Sequence, residues 1–308
     1  MVKTMKYSIV IVTYNRIDLL KECLYCVDQQ ALKATEVVLV NNCSTDGTAE
    51  FLDDYVRNHK YVKIITTEKN VGGSGGFELG VRSVSDNCDY VLLIDDDAML
   101  DKDFLAEIER NMENGVEAYS GTIRTDGKID TSHRRRLRNP VLMIKEDVPE
   151  KEYEHPSFYY HLASFCGLLV SKNIINKIGF PKGEYFIWYD DTEYSMRICQ
   201  LTKIKNINSA HINHKTVISK DQSLNWKSYY GYRNQIDFGR RFSKFPAFFC
   251  LFRYTYHIYR VAYYNIKYKM TNDAYYLECS KLNQVVIEDS RKGVLGISKA
   301  YYPGKKLR

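Results

Sequence analysis

YSIVIVTYNR, residues 7–16, is an apolar run of strand length that ends abruptly in polar residues. Three similar runs follow at residues 36–41, 62–66 and 90–94, and helix-like spacing of apolar residues separates them at 17–29, 48–58 and 74–85. Alternation of this kind is typical of βαβ units and a mostly parallel sheet. Ligands of open parallel sheets bind beyond the carboxyl ends of the strands. We therefore expect an α/β protein whose chemistry lies in the loops after these strands.

The amino-acid composition limits which classes of protein this chain can belong to. The 308 residues include 44 Lys and Arg against 38 Asp and Glu, a net charge of +6. This excess suits nucleotide phosphates or a phospholipid surface and is too weak to indicate nucleic acid as a partner. Eight scattered cysteines predict free thiols in a reducing cytoplasm, with Cys23 and Cys26 on the core side of a helix. The apolar runs predict neither a secretory signal nor a membrane span.

Three consecutive acids, Asp95, Asp96 and Asp97, end the fourth apolar run. Their mutual repulsion is costly unless a cation compensates it, and hard oxygen ligands suit Mg²⁺ or Mn²⁺. The alternative is an acidic turn stabilised by water. His214 follows a strand-like run at 204–207 and is a further candidate metal ligand, although a lone histidine is more often structural.

A glycine-rich loop, NVGGSGGF at residues 70–77, stands between a predicted strand and a predicted helix. Its backbone N–H groups and the helix start favour a phosphate or a sugar as ligand. It matches neither the dinucleotide-binding fingerprint nor a P-loop. The alternative is a flexible turn that caps the helix.

An acidic cluster preceded by aromatic residues, WYDDTE, occupies residues 188–193. A carboxylate beside aromatic surface can gain enough basicity to accept a proton from a sugar hydroxyl. Acids at a helix start are also ordinary caps, so a structural role stays open. The preceding residues 125–156 are charged and polar, and we expect an insertion or an acceptor-side loop region there.

The C-terminal region, residues 226–276, is dense in aromatic and basic residues. Such helices can lie in a membrane interface, which suits a lipid-linked acceptor. They can equally form a helical cap on the sheet or an oligomer interface. Both alternatives stay open at the level of sequence.

Taken in order, residues 8–16, 40–48, 70–77 and 95–97 resemble glycosyltransferase family 2, with the GT-A fold. The glycine-rich loop, residues 188–197, His214 and the sequence YRN at 232–234 are most similar to its galactofuranosyltransferase and rhamnosyltransferase branch. The similarity spans about residues 7–241. It implies a Rossmann-like, mostly parallel sheet flanked by helices, with a C-terminal helical extension.

The resemblance also implies roles for individual residues. The donor nucleotide sugar is expected to contact Thr13, Tyr14, Asn15, Arg16, Asn42, Asp46, Gly72, Gly73, Ser74 and Asp96. Asp95, Asp97 and His214 are implied as metal ligands, Asp191 as catalytic base, and Trp188, Asp190 and Glu193 as acceptor contacts. Asn41 stands where many relatives have aspartate, so a carboxylate contact to the nucleoside is lost.

These observations predict an inverting, Mn²⁺- or Mg²⁺-dependent hexosyltransferase that uses a nucleotide-sugar donor and a glycan acceptor in cell-surface polysaccharide synthesis. UDP-galactofuranose is the favoured donor and dTDP-rhamnose the second. We expect a catalytic domain at 1–220 and a helical region at 221–308, in the cytoplasm or at the inner face of the plasma membrane, with a homo-oligomer as a further option. The competing hypotheses are a nucleotidyltransferase, and a glycan- or sugar-nucleotide-binding protein with weak or no catalysis.

Overall fold

The computed structural model of the chain describes residues 5–216 and 223–307. It confirms the predicted α/β class, with a mostly parallel central sheet flanked by helices and a helical C-terminal region. The first elements are β1 (Tyr7–Thr13), α1 (Ile17–Asp28), β2 (Glu36–Asn41), α2 (Thr48–Asn58), β3 (Val62–Thr66), α3 (Gly72–Arg82), β4 (Tyr90–Asp95), β5 (Ala98–Leu100) and α4 (Phe104–Arg110). Helix α3 begins inside the glycine-rich loop, two residues before the predicted start.

The remaining elements include short strands that the sequence did not predict. They are β6 (Ala118–Thr125), β7 (Lys128–Ile129), β8 (Arg134–Asn139), β9 (Ile144–Asp147), β10 (Ser157–Tyr160), β11 (Leu162–Ala163), β12 (Leu168–Ser171), α5 (Lys172–Ile178), α6 (Asp190–Cys199), β13 (Ile204–His214), α7 (Trp226–Phe242), α8 (Pro246–Thr271) and α9 (Ala274–Lys292). The segment at 125–156, expected to be an insertion or an acceptor-side loop region, is not a simple loop, because it contributes β7, β8 and β9. Arg134, one of its charged residues, is fully buried and donates hydrogen bonds to the carbonyls of Gly121 (2.9 Å) and Cys166 (3.0 Å).

The central sheet has the order β10-β13-β6-β12-β4-β1-β2-β3. Strands β4, β1, β2 and β3 run parallel, so their carboxyl ends meet at one edge; there Thr13 pairs with Asn41, and Val12 with Asp95. Strand β13 is longer than the predicted run at 204–207 because it continues through an antiparallel pairing with β5, in which His214 lies opposite Ala98. That pairing places His214 next to the acids that precede β5.

Strand β1 forms the centre of the core, and all seven of its residues are buried. Its alternate side chains enter two apolar clusters, one on each face of the sheet. Helix α3 approaches one face so closely that a Cβ added to Gly80 would lie 2.3 Å from Val10 Cγ1, and one added to Gly76 would lie 2.5 Å from Val12 Cγ1. Helix α3 therefore requires these two glycines for packing.

Contacts within the chain define two compact units. The first comprises residues 1–136, 146–183 and 191–217, and the second comprises 137–145, 184–190 and 218–308. The predicted domain boundary between residues 220 and 221 lies outside the described residues and stays a prediction. Among the described helices, none is both long and apolar enough to cross a membrane. All eight cysteines are free, and Cys23 is buried in the core as predicted.

Candidate active site

The carboxyl end of β4 carries two buried carboxylates that are held by residues following β1. Thr13 Oγ1 donates a hydrogen bond to Asp96 Oδ2 at 2.7 Å. The Arg16 guanidinium donates to Asp97 Oδ2 at 2.8 Å and to Asp96 Oδ1 at 3.3 Å. Burial raises the pKa of Asp96 to about 6, although Thr13 and Arg16 favour its charged form. The structure thus brings together four residues that the sequence assigned to donor and metal binding.

His214 completes this cluster on the side of Asp97. Its Nε2 lies 3.2 Å from Asp97 Oδ1, and both side chains are largely buried. Burial disfavours charge on both groups, but their mutual attraction outweighs it, so the pKa of Asp97 is lowered and that of His214 is raised. Asp95, the third acid of the run, is half-buried at the end of β4.

Sequence reasoning missed two residues beside His214. Asp130 and His133 place potential ligand atoms within 4.8 Å of one another and of a ligand atom of His214, and the His133 and His214 rings meet edge to face at 4.9 Å. Asp130 also accepts hydrogen bonds from Thr125 Oγ1 (3.0 Å) and Ser132 Oγ (2.6 Å), and its pKa is lowered, chiefly by His133. The Asp-x-x-His spacing was the available signal, but it lay in the segment interpreted as an insertion.

These residues fit a divalent cation. Within the described part of the chain, His214 Nδ1 is buried and has no hydrogen-bond partner. This nitrogen is therefore available to bind a metal ion. Imidazole nitrogen and carboxylate oxygen are ligands for Mn²⁺ and related ions. Asp130, His133 and His214 could therefore hold a metal ion, with Asp97 in contact with His214. The predicted ligand set of Asp95, Asp97 and His214 stays a prediction.

Several residues predicted to contact the donor nucleotide form an ordered network between the ends of β1 and β2. Asn15 has a positive φ of 53°, and its Oδ1 accepts from the Thr45 N–H at 2.7 Å. Asp46 Oδ2 accepts from the Ile17 N–H at 3.0 Å, which links the second loop to the start of α1. Tyr14, between these contacts, is exposed and so available to a ligand.

Asn42 connects the end of β2 to the glycine-rich loop. Its Oδ1 accepts from the Val71 N–H at 2.9 Å, and its Nδ2 donates to Asn70 Oδ1 at 3.0 Å. A buried side chain with these partners positions the loop. Asn41 is also fully buried; its Oδ1 accepts from Ser44 N–H at 3.1 Å, while its Nδ2 has no partner among the described residues.

Within the glycine-rich loop, the structure requires glycine at some positions and not at others. Gly72 has a φ of +76°, a conformation that side chains other than glycine rarely adopt. A Cβ on Gly73 would meet no atom within 4 Å among the described residues. Ser74 is fully buried, and its Oγ has no hydrogen-bond partner in the described ranges. Donor contacts of these three residues stay predictions.

The predicted base and one predicted acceptor residue lie at the start of α6. Asp191 is half-buried, and its Oδ1 accepts from the Thr192 backbone and hydroxyl, the latter at 3.0 Å. Glu193 is buried and bound to Arg197 Nη2 at 2.8 Å, while Arg197 also donates to the Ile178 carbonyl at 2.6 Å. The hydrogen bond from Arg197 ties α6 to the end of α5, and Glu193 holds Arg197 in place, so the structure gives Glu193 a packing role, and its acceptor contact stays a prediction.

Trp188 and Asp190 belong to the second unit. Phe186, Trp188 and Tyr189 all have positive φ, a strained conformation for large side chains. The buried amide of Asn234 stabilises it by donating to the carbonyls of Tyr185 (2.9 Å), Ile187 (3.1 Å) and Trp188 (2.9 Å). The Trp188 ring lies over Gly231, where a Cβ would be 2.8 Å from Cε3, and remains 45% exposed.

Trp188 lines a cavity of about 1260 Å³ within the second unit. Its wall is aromatic and basic and includes Tyr189, Trp226, Lys227, Tyr232, Tyr275, Lys305 and Lys306. Aromatic rings and cations of this kind suit sugar rings and anionic groups.

The chain belongs to glycosyl transferase family 2, whose sequence profile matches residues 8–173. One relative is the Staphylococcus aureus poly(ribitol-phosphate) β-N-acetylglucosaminyltransferase TarS, 33% identical over 161 residues that cover 52% of this chain and 26% of TarS. Another is the Shigella flexneri dTDP-rhamnosyl transferase RfbF, 27% identical over 190 residues, 61% of either chain. The chain spans only about a quarter to a third of the first curated relatives that it matches.

Solved structures share the fold. TarS residues 1–349 with UDP superpose with a TM-score of 0.55 at 16% identity, over 99% of either chain. The mannosyltransferase PcManGT of Pyrobaculum calidifontis, solved with GDP-Man and Mn²⁺, gives 0.57 at 12% identity, over 94% of this chain and 87% of that one.

Proposed function

We propose that this protein is a metal-dependent glycosyltransferase that moves a hexosyl group from a nucleoside diphosphate sugar to a hydroxyl of a glycan acceptor, with inversion, in cell-surface polysaccharide synthesis. The family assignment and the relatives TarS and RfbF support this function. The observation that carries it is the cluster of Thr13, Arg16, Asp96, Asp97 and His214 at the carboxyl edge of the parallel strands.

The cluster is suited to a donor diphosphate. We assign Asp97 and His214 to a divalent cation, with Asp95 and the neighbouring Asp130 and His133 as further candidates. When bound, Mn²⁺ or Mg²⁺ would offset the negative charge of the diphosphate leaving group. Arg16, half exposed above the two carboxylates, would offer a second positive charge to the same phosphates. Asp96, anchored by Thr13, would accept a hydrogen bond from the transferred sugar.

Asp191 would act as the general base. It accepts two hydrogen bonds from Thr192, which fix its carboxylate at the start of α6. Removal of the acceptor proton makes the hydroxyl oxygen nucleophilic, and its attack opposite the diphosphate inverts the anomeric centre. Because no covalent sugar–enzyme intermediate forms, one carboxylate is enough.

We assign the acceptor contacts to Trp188, Asp190 and Glu193, as the resemblance implies. Trp188 offers an exposed ring for stacking on a sugar, and Asn234 keeps its backbone in place. Asp190 follows two positions later, directly before the base. The lysines of the adjoining cavity favour an acceptor that carries phosphate, as a lipid-linked glycan would.

Three nucleotide sugars are candidate donors. UDP-galactofuranose follows from the resemblance of the glycine-rich loop and residues 188–197. The similarity to RfbF supports dTDP-rhamnose, and the similarity to TarS adds UDP-GlcNAc to the set to be tested. The loss of a carboxylate at Asn41 bears on the nucleoside, because an amide can donate where a carboxylate only accepts.

The test measures nucleoside diphosphate release from these three donors, with Mn²⁺, with Mg²⁺ or with EDTA. We expect release from one donor, loss with EDTA, and loss in Asp97→Asn. The matched control is Asp53→Asn, an exposed acid on α2 that should leave release unchanged. Absence of release from every donor, with glycan acceptors present and the native chain folded, would contradict the proposed activity. Cytoplasmic location and oligomeric state stay predictions.

A further inference from the structure

Helix α8 has the reverse of the usual surface pattern. Surface helices of globular proteins normally expose polar side chains and bury apolar ones. All of α8 is described, and none of its exposed side chains from Pro246 to Ile266 is charged. The exposed large ones are Phe248, Leu251, Phe252, Tyr256, Ile258, Tyr259, Tyr263 and Ile266, followed by Met270.

These side chains form one continuous face. Phe248, Phe252, Tyr259, Tyr263 and Ile266 follow one another at intervals of three, four or seven residues, which places them on the same side of a helix. At about 1.5 Å per residue, the 26 residues of α8 extend roughly 39 Å. Tyr259 is 65% exposed near the middle of this length. We call residues 248, 252, 259, 263 and 266 the α8 face.

Two polar side chains of α8, Arg260 and His257, contact the neighbouring helices instead. Arg260 donates to the hydroxyl of Tyr232 on α7 (2.6 Å), and to those of Tyr256 (3.0 Å) and Tyr264 (2.5 Å) on α8 itself. His257 is fully buried, with Nδ1 2.8 Å from Asn283 Oδ1 on α9. The orientation of α8 is therefore fixed by specific contacts, and the apolar face is outward for a structural reason.

The positive charge around α8 indicates which kind of partner could cover the α8 face. Residues 238–272 contain seven Lys or Arg and no Asp or Glu; since the whole chain carries +6, all other residues together carry −1. Lys244 and Lys269 are exposed at the two ends of the helix. An anionic surface that also accepts apolar side chains complements this arrangement.

We propose that the α8 face binds the surface of an anionic phospholipid bilayer, with its aromatic side chains in the interface and the exposed Lys244 and Lys269 toward the headgroups. A second copy of the chain is a poorer fit, because a two-fold interface brings the same patch together twice. Both patches would then be cationic, with no acid in residues 238–272 to compensate. This proposal does not depend on the transferase activity.

The test is flotation of the purified full chain with vesicles of phosphatidylcholine alone or mixed with phosphatidylglycerol. We expect binding to the mixed vesicles, weaker binding at high salt, and little binding to phosphatidylcholine alone. Tyr259→Glu should lower the bound fraction at limiting lipid roughly tenfold, since it places a carboxylate in the apolar face. Tyr25→Glu makes the same change at a tyrosine of similar exposure, 63%, on α1, and should bind as the native chain does.

Two results would overturn the proposal. One is failure of the folded native chain to float with phosphatidylglycerol vesicles, and the other is an equal loss in Tyr25→Glu. Light scattering of the same samples tests for a second copy: a dimer that Tyr259→Glu dissociates, without vesicle binding, assigns the α8 face to self-association instead. Because both tyrosines are exposed, circular dichroism should show native folding in both variants.

Discussion

The two units use buried polar side chains differently. In the first, Asp96, Asp97 and His214 are gathered at the edge of the sheet, and His214 keeps a buried nitrogen without a partner in the described ranges. In the second, Arg260 and His257 lie among tyrosines and the Asn283 amide. The buried polar groups of the first unit thus retain binding capacity, whereas those of the second make contacts that pack its helices together. Substitutions of these buried groups should therefore affect activity in the first unit and stability in the second.

The largest effect on activity is expected at Asp191. Asp191→Asn keeps the shape of the side chain and an oxygen for the Thr192 bonds, but it cannot accept the acceptor proton. Turnover should fall roughly 10²- to 10⁴-fold with donor affinity unchanged. Steady-state kinetics with saturating acceptor, together with calorimetric donor binding, checks this.

Glu50→Gln, at the exposed start of α2, provides the control for neutralising an acid near a helix start. A parallel loss of donor affinity in Asp191→Asn would assign Asp191 to binding instead of proton transfer. A similar loss of turnover in Glu50→Gln would show that the effect is not specific to Asp191.

The next effect concerns metal affinity. His214→Gln removes an imidazole shared by the Asp97 pair and the Asp130–His133 cluster, so the Mn²⁺ concentration for half-maximal activity should rise roughly 10- to 100-fold. His133→Gln tests whether His133 is a ligand. An equal rise in the Mn²⁺ concentration for half-maximal activity would place His133 among the ligands, and an unchanged concentration would exclude it. His155→Gln, an exposed histidine, is the control. Unchanged metal dependence in His214→Gln would contradict the assignment.

The sequence predicted the first unit well because its signals are local. Strand-length apolar runs gave β1 to β4, and the acids at the end of β4 indicated the site before any contact was known. His214 was a candidate because it follows a strand-like run, and the resemblance implied its role as a metal ligand. Its position depends on β13 pairing with β5, a contact between distant segments that no periodicity records.

The second unit was predictable only in composition. The abundance of aromatic and basic residues showed that α7 to α9 are unusual, but not which side of α8 faces outward. That choice follows from Arg260 finding three tyrosine hydroxyls and Phe249 filling the space above Gly239, where a Cβ would lie 2.0 Å from Cε1. In the first unit, the burial of Arg134 could not be predicted either, because its carbonyl partners, Gly121 and Cys166, come from other segments of the chain.

A smaller effect, on stability, is expected from substitutions of the glycines in α3, and it should differ between Gly80 and Gly73. Gly80→Ala places a methyl group 2.3 Å from Val10 Cγ1, so helix and sheet must move apart, at a cost of about 1 to 3 kcal/mol in the free energy of unfolding. Gly73→Ala has open space around it and should be neutral or slightly stabilising. Urea denaturation of both variants measures the difference. Equal stabilities would show that α3 does not pack on β1 as closely as described.

The smallest effect is a pH dependence that originates in the second unit. Burial, followed by the nearby Arg253 and Arg260, lowers the pKa of His257 to about 4, although its bond to Asn283 favours the charged form. An unfolded histidine titrates near 6.5, so the unfolded chain binds the proton first as the pH falls. The contribution of His257 is therefore complete above about pH 6.5 and decreases toward pH 4.

Between pH 7 and pH 5.5 this loss amounts to about 1 kcal/mol of unfolding free energy. His257→Gln keeps a side chain able to bond Asn283 but does not titrate, so its stability should fall less than that of the native chain over the same interval. Urea midpoints of both proteins at the two pH values measure the difference, and other titrating groups cancel in the comparison. Identical pH dependence would mean that His257 takes up a proton in the folded state as readily as in the unfolded state, which would contradict its role as a neutral, buried packing group of the second unit.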